Sequence, residues 1–397
     1  MVLPAVMIGL AASLQAEDQR FPGVTPALKA KVDEKQIAGA VTAVVTPDGK
    51  VDLQTHGMAD IAAQRPMSPD TLFWIASMTK PVTGVAVLML QDAGKLKVSD
   101  PAANYLPEFA SLKTPSGQPA NLTITHLMTH TSGLGEAAGP AAQDAKTLAD
   151  LVPLWLAAPM QYEPGAQWKY TQSGINAAAR IVEVVSGQAF EVFLQERLFD
   201  PLGMKNTTFY PTEEQRKRLA TGYAKDKATG ALVPVPPRPG YGTRQRPPQG
   251  NGGLFSTGPD YARFCLMLLQ GGTFLSQTGG PERRILSPEA MVFLTKPLTG
   301  GLPTGFFQNG TYGPRGMNYG WGLGTCILRE PHPGVAGRLS PGSFGHGGAW
   351  GTQAWLDPVK GAGYLLMVQR ADFPNSDGSE VRRAFQDAAA DDLEKKR

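Results

Sequence analysis

Cysteine is scarce in this chain, with two in 397 residues. A scaffold held by many disulfides is therefore excluded. Cys265 and Cys326 can form one bridge in an exported protein. However, Cys265 sits in the helical run FCLMLL and Cys326 in the strand-like run GLGTCIL, so buried free thiols are expected. Histidine is also sparse. The five (His56, His126, His130, His332, His346) make no His-Glu-x-x-His pattern, and no Cys or His spacing suits zinc. Charge is low, at 18% of residues with a net of +3. The basic residues are scattered, which argues against a nucleic-acid partner. Long apolar runs are missing too. Residues 1–16 (MVLPAVMIGLAASLQA) are too few to span a bilayer, and no later stretch reads as transmembrane. This run gives way to Glu17-Asp18-Gln19-Arg20, the pattern of an export signal cleaved after Ala16, despite Leu14 and the lack of a basic start. The product would then be periplasmic or secreted. There is no internal repeat. A Gly-x-Ser-x-Gly elbow is also absent, which removes the α/β-hydrolase triad.

What remains is a loop-rich globular chain with 46 glycines, 34 prolines and 42% hydrophobic residues. That is enough for a sizeable core in one large domain or two smaller ones. An early hairpin is legible: AGAVTAVVT (38–46), a Pro47-Asp48-Gly49 turn, and a return over 51–56. Helical patterns follow over 146–157, 174–186, 189–198, 259–270 and 287–295. Strand patterns return over 319–328, 343–346, 350–356 and 363–370, before an amphipathic helix over 379–395. Strands at both ends and helices between predict a discontinuous α+β fold. Residues 20–100 with 300–397 would form an α/β lobe, and 101–299 a helical lobe. A cleft between lobes is a natural place for a site. Two Gly/Pro-rich stretches, 234–253 and 299–318, read as surface loops or site walls.

The segment TLFWIASMTKPVTG (71–84) carries the strongest chemistry. Ser77 and Lys80 are three apart, hence on one helical face. Pro81 fits only near a helix start, so the pair sits at the mouth of an apolar core helix. A lysine desolvated there can lose its charge and accept the serine proton. Tyr170, in WKYTQSG (168–174), is either lobe packing or a group that shares that proton. His346, in FGHGGAW (344–350), is either a structural histidine in a Gly-rich turn or a site residue. The Ala349 N–H, on an edge strand, can pair with the Ser77 N–H as an oxyanion hole.

Together these segments resemble the serine β-lactamase and penicillin-recognising hydrolase family, and within it the class C β-lactamases and the carboxylesterases sharing their fold. LMTHTSGLG (127–135), NGGLFSTGPDYARF (251–264) and YGWGLG (319–324) also resemble family segments. The resemblance implies an antiparallel sheet flanked by helices plus an all-helical lobe. Ser77 would be the nucleophile, Lys80 its partner and Tyr170 the motif tyrosine. Gln172 stands where the family has asparagine, and His346-Gly347-Gly348 stands in place of Lys-Thr-Gly. Those family groups help hold a substrate carboxylate, and His346 and Gly347 are poorly suited to that task. Losing one charge-assisted contact costs about 1.5–3 kcal/mol. The expected activity is therefore cleavage of a small ester, with a β-lactamase or D-amino-acid peptidase on the same scaffold as alternative. No metal, cofactor or nucleic acid is called for. Gln172, Gly347, Gly348, Trp350 and Tyr241 are candidate substrate contacts, with Trp355, Phe306 and Phe307 as further pocket aromatics.

Overall fold

The computed structural model describes residues 20–275, 282–308, 311–314, 318–331, 337–373 and 378–396. The export signal expected over 1–16 lies outside them. Strand β1 (Gly39–Val45) is buried along its whole length. A strand sends alternate side chains to opposite faces, so both faces of β1 are covered. Val41, Ala43 and Val45 join one core with Phe73, Met78 and Val85. Ala40 and Val44 join a second with Phe21, Leu28 and Phe385.

Around β1 an eight-stranded antiparallel sheet is built from both ends of the chain. Its strands are β1, β2 (Val51–Asp60), β3 (Arg65–Pro66), β4 (Tyr319–Trp321), β5 (Cys326–Leu328), β6 (Phe344–Gly347), β7 (Gln353–Asp357) and β8 (Ala362–Met367). Their spatial order is β4-β5-β6-β7-β8-β1-β2-β3. At the central seam Val41 faces Met367 and Val45 faces Gly363. The expected discontinuous α+β sheet is therefore present.

The helices that matter here are α1 (Val24–Asp33), α2 (Thr79–Asp92), α3 (Ile124–Met128), α4 (Ser173–Ser186), α5 (Gly258–Leu269), α6 (Pro288–Thr295) and α7 (Glu380–Glu394). Helices α1 and α7 cover one face of the sheet through Val24, Leu28, Val381 and Phe385. On the other face α5 packs against β1 and β8. It lies inside the span expected for the helical lobe, yet its contacts are with the sheet. Helix α2 is buried nearly all round and packs against α4 and α6. No helix among the described residues is long and apolar enough to cross a membrane.

Three local expectations need correction. The single strand read over 319–328 is a hairpin, β4 and β5. Gly324 turns it with φ +76°, and an added Cβ there would lie 2.4 Å from the Lys80 carbonyl oxygen. The strand expected from Trp350 starts at Gln353. Residues 348–351 form a turn closed by the Gly351 N–H donating to Gly348 O, with Gly351 at φ +95°. Finally, Ala349 is not on an edge strand. It follows β6, an interior strand between β5 and β7. Cys265 is buried as expected, whereas Cys326 is only half-buried, and the two are not bridged to each other.

Candidate active site

Ser77 owes its position to a backbone turn. The ribbon Leu72–Trp74, paired with Phe255–Thr257, leads into Ala76 at φ +45°. Such a φ is unfavourable for alanine, so the surroundings must hold it. They do so at several points. The Thr79 hydroxyl donates to Ala76 O at 2.7 Å, and Tyr261 of α5 donates to Met78 O at 2.8 Å. Ser77 thereby sits in a 3-10 turn that runs straight into α2.

One helical turn on, Lys80 is fully buried. Its Nζ lies 3.0 Å from Ser77 Oγ, 3.1 Å from Gln172 Oε1 and 2.8 Å from the Asn251 carbonyl oxygen. Desolvation pushes Lys80 well below the ordinary lysine range, and the Glu136 carboxylate partly opposes that shift. A neutral amine has two N–H donors and one lone pair. The two carbonyl oxygens match the donors, and the Ser77 hydroxyl matches the lone pair. The geometry thus suits an amine that takes the serine proton.

Tyr170 and Gln172 are held in place at the start of α4. The Gln172 and Ser173 N–H groups donate to the Glu136 carboxylate at 2.5 and 2.9 Å, and the Ser173 hydroxyl donates at 2.7 Å. A carboxylate at a helix N-terminus is favourable. Gln172 Oε1 also accepts from Asn251 Nδ2 at 2.7 Å. The longer glutamine therefore still reaches the lysine. Lys80 Nζ lies 4.5 Å from the centre of the Tyr170 ring. On β6, His346 Nε2 is 3.3 Å from Tyr170 Oη, and His346 Nδ1 is 2.7 Å from Gly347 O.

A cavity of about 410 Å³ opens above these groups. Ser77, Tyr170, Gln172, Tyr241, His346, Gly347, Gly348, Ala349 and Trp350 all line it, as does Trp355. Lys80 lies beneath its floor. Ser77, in the 3-10 turn, and Ala349, just after β6, both line this cavity. Phe306 and Phe307 lie on Gly305–Gln308, and their side chains are outside the described residues.

Sequence reasoning missed several participants. Asn251, Trp321, Trp74, Arg238 and Cys326 line the same cavity. Asn251 opens a segment already singled out, and Glu136 follows another by one residue. Nothing in the local sequence ties either residue to Lys80.

The chain also matches known proteins over most of its length. A family model described as Beta-lactamase matches residues 24–389. Protein Rv1367c of Mycobacterium tuberculosis is 32% identical over 85% of this chain and 87% of its own length. Esterase EstB of Burkholderia gladioli is 28% identical, with the same two coverages. Among solved structures, EstCE1, a hydrolase with promiscuous acyltransferase activity, superposes with a TM-score of 0.74. That match spans 94% of this chain and 98% of the other at 22% identity, a likeness of fold. With a family model spanning nearly all the described chain, the protein belongs to the Beta-lactamase family, and its fold is the family's antiparallel sheet flanked by helices.

Proposed function

We propose that this chain is a serine carboxylesterase that works through an acyl-enzyme on small esters. Lys80 accepts the Ser77 proton as Oγ attacks the ester carbonyl carbon. The Ser77 and Ala349 N–H groups donate to the resulting oxyanion. Tyr170 delivers a proton to the departing alkoxide and regains one from Lys80, so an alcohol leaves and Ser77 stays acylated. Water then gives a proton to Tyr170, with His346 accepting in turn, and attacks the acyl carbon. Ser77 recovers its hydrogen as the acid is released.

The observation that carries the ester reading is the identity of the β6 end. His346 and Gly347 line the cavity where a family lysine and threonine would hold a carboxylate. Neutral esters do not need that contact. The similarity to an esterase from Burkholderia gladioli supports the same reading. One observation favours lactams instead. Arg238 lines the same cavity and offers another cation for a carboxylate.

Parallel turnover of a p-nitrophenyl ester and a chromogenic cephalosporin separates the two. Ester cleavage that vanishes in Ser77→Ala, with little lactam turnover, is the expected result. Dominant lactam turnover refutes the ester reading, and activity that survives Ser77→Ala refutes the nucleophile. We also propose export with cleavage after Ala16, which N-terminal sequencing of a secreted product tests.

A further inference from the structure

His130, in a segment with no role in the chemistry above, makes three contacts with the chain around Tyr170. It follows α3, is fully buried, and has φ +62°. That backbone angle turns its carbonyl and its ring toward the same neighbouring segment. The Lys169 N–H donates to His130 O at 2.9 Å. The Thr171 N–H donates to His130 Nδ1 at 3.2 Å. These two bonds grip the residues immediately before and after Tyr170. The imidazole also lies on the tyrosine itself, with ring centres 4.4 Å apart and planes 35° apart. Trp321 closes over the imidazole at 5.0 Å.

We propose that His130 is the positioning residue for Tyr170. The proposal rests on the reading of Tyr170 as the proton carrier. Tyr170 stands two residues before Gln172, where the Glu136-capped entrance to α4 begins. That cap anchors it downstream, and His130 holds the residues on both of its flanks. A phenol that must move a proton between Lys80 and a leaving group tolerates little displacement, because misplacement of about 1 Å can cost on the order of a hundredfold in rate. His130 is suited to this only when neutral, because Nδ1 must accept. Burial holds it far below the usual histidine range, and the nearby Lys80 and His346 act in the same direction.

A double-mutant cycle tests this with p-nitrophenyl acetate. His130→Ala removes the acceptor and the ring. His130→Asn keeps an acceptor near the Nδ1 position and tolerates the positive φ, but loses the ring. We expect kcat to fall about thirtyfold in His130→Ala and about three- to tenfold in His130→Asn, each less than the ~10²–10⁴-fold contribution of the general acid–base group being positioned. KM should stay within about threefold, since substrate contacts are untouched. In a Tyr170→Phe background neither substitution should lower the rate further. If the alanine variant does not fold, His130→Asn in the two backgrounds carries the test. Equal losses with and without the Tyr170 hydroxyl, or a wild-type kcat in both His130 variants, overturn the proposal. Tyr170→Phe with wild-type activity overturns instead the reading on which it rests.

Discussion

Tyr170 Oη and His346 Nε2 lie 3.3 Å apart, and the Gly347 carbonyl decides which of them donates. That carbonyl accepts from His346 Nδ1 at 2.7 Å. A neutral imidazole has one N–H, here on Nδ1, so Nε2 accepts and the tyrosine donates. His346 can then receive the tyrosine proton during deacylation. Tyr170→Phe should lower kcat by about 10²–10⁴-fold, and His346→Ala by less. Burst kinetics on a p-nitrophenyl ester check both, with the His346 loss confined to the steady-state phase. An unchanged steady-state rate in His346→Ala excludes the relay.

On the proposed reading, the β6 end also sets substrate class. The double variant His346→Lys, Gly347→Thr restores a cation and a hydroxyl there. Cephalosporin kcat/KM should rise by about tenfold or more, from one regained charge-assisted contact. Ester turnover should fall, because the relay is gone. A lactam rate that does not move would assign carboxylate recognition elsewhere, with Arg238 the first residue to test.

Burial of Lys80 makes stability and activity pull in opposite directions. Folded Lys80 titrates well below 10.5, whereas in the unfolded chain it is ordinary. Between those two values the unfolded chain holds a proton that the folded chain lacks. Stability therefore rises with pH across that window. Lys80→Met should be inactive yet more stable near neutral pH, by on the order of 1–4 kcal/mol, as when other buried charges give way to apolar groups. That advantage should shrink as pH approaches 10.5. Denaturant titrations at several pH values measure it. A variant less stable than wild type throughout would mean that the three contacts of Lys80 outweigh its desolvation.

A second cavity of about 360 Å³ adjoins the first, and Trp74, Tyr241 and Trp350 line both. The Trp74 ring meets Tyr241 and Trp350 edge-on, each at 5.2 Å. On the proposed reading, this aromatic wall is expected to limit the length of the substrate arm. Trp350→Ala should join the cavities and raise kcat/KM for an octanoate ester relative to the acetate by about tenfold, as expected when several methylenes find apolar surface. An unchanged chain-length profile would show that the wall does not limit the arm.

Cys326 offers a test without substrate. It lines the cavity and is half-buried, whereas Cys265 is fully buried, and burial pushes that thiol far up. A disulfide reagent should modify one thiol in the native protein and two after denaturation. The native modification should block ester turnover, and a bound competitive inhibitor should slow it. Labelling that leaves turnover intact would move Cys326 away from the substrate path.

The sequence made legible those parts of this molecule that short-range rules govern. Alternation exposed β1, and the Ser77–Lys80 spacing with Pro81 located the mouth of α2. What it hid depends on distant backbone. Ala349 reads as an edge-strand residue because nothing local marks β5 as the neighbour that covers β6. Only the close approach of Gly324 to the Lys80 carbonyl explains why the run over 319–328 must turn. Glu136 and Asn251 reach Lys80 through the packing of α4 and its neighbours, which no local pattern encodes. Cys326 reads as core from its apolar flanks, yet it borders a cavity that those flanks do not reveal.

The seam between β1 and β8 has a consequence for synthesis. It joins Val41 to Met367, partners more than 300 residues apart in sequence. A ribosome adding about 5–20 residues per second needs roughly 15–60 s to deliver the second after the first. During that interval the apolar strand β1 has one of its two neighbours, β2, and lacks the other. The nascent chain must be shielded from aggregation over this time, and release before residue 367 leaves β1 without its full β8 partner. Nonsense mutations that stop translation shortly before residue 367 should therefore be as damaging as those just after β1.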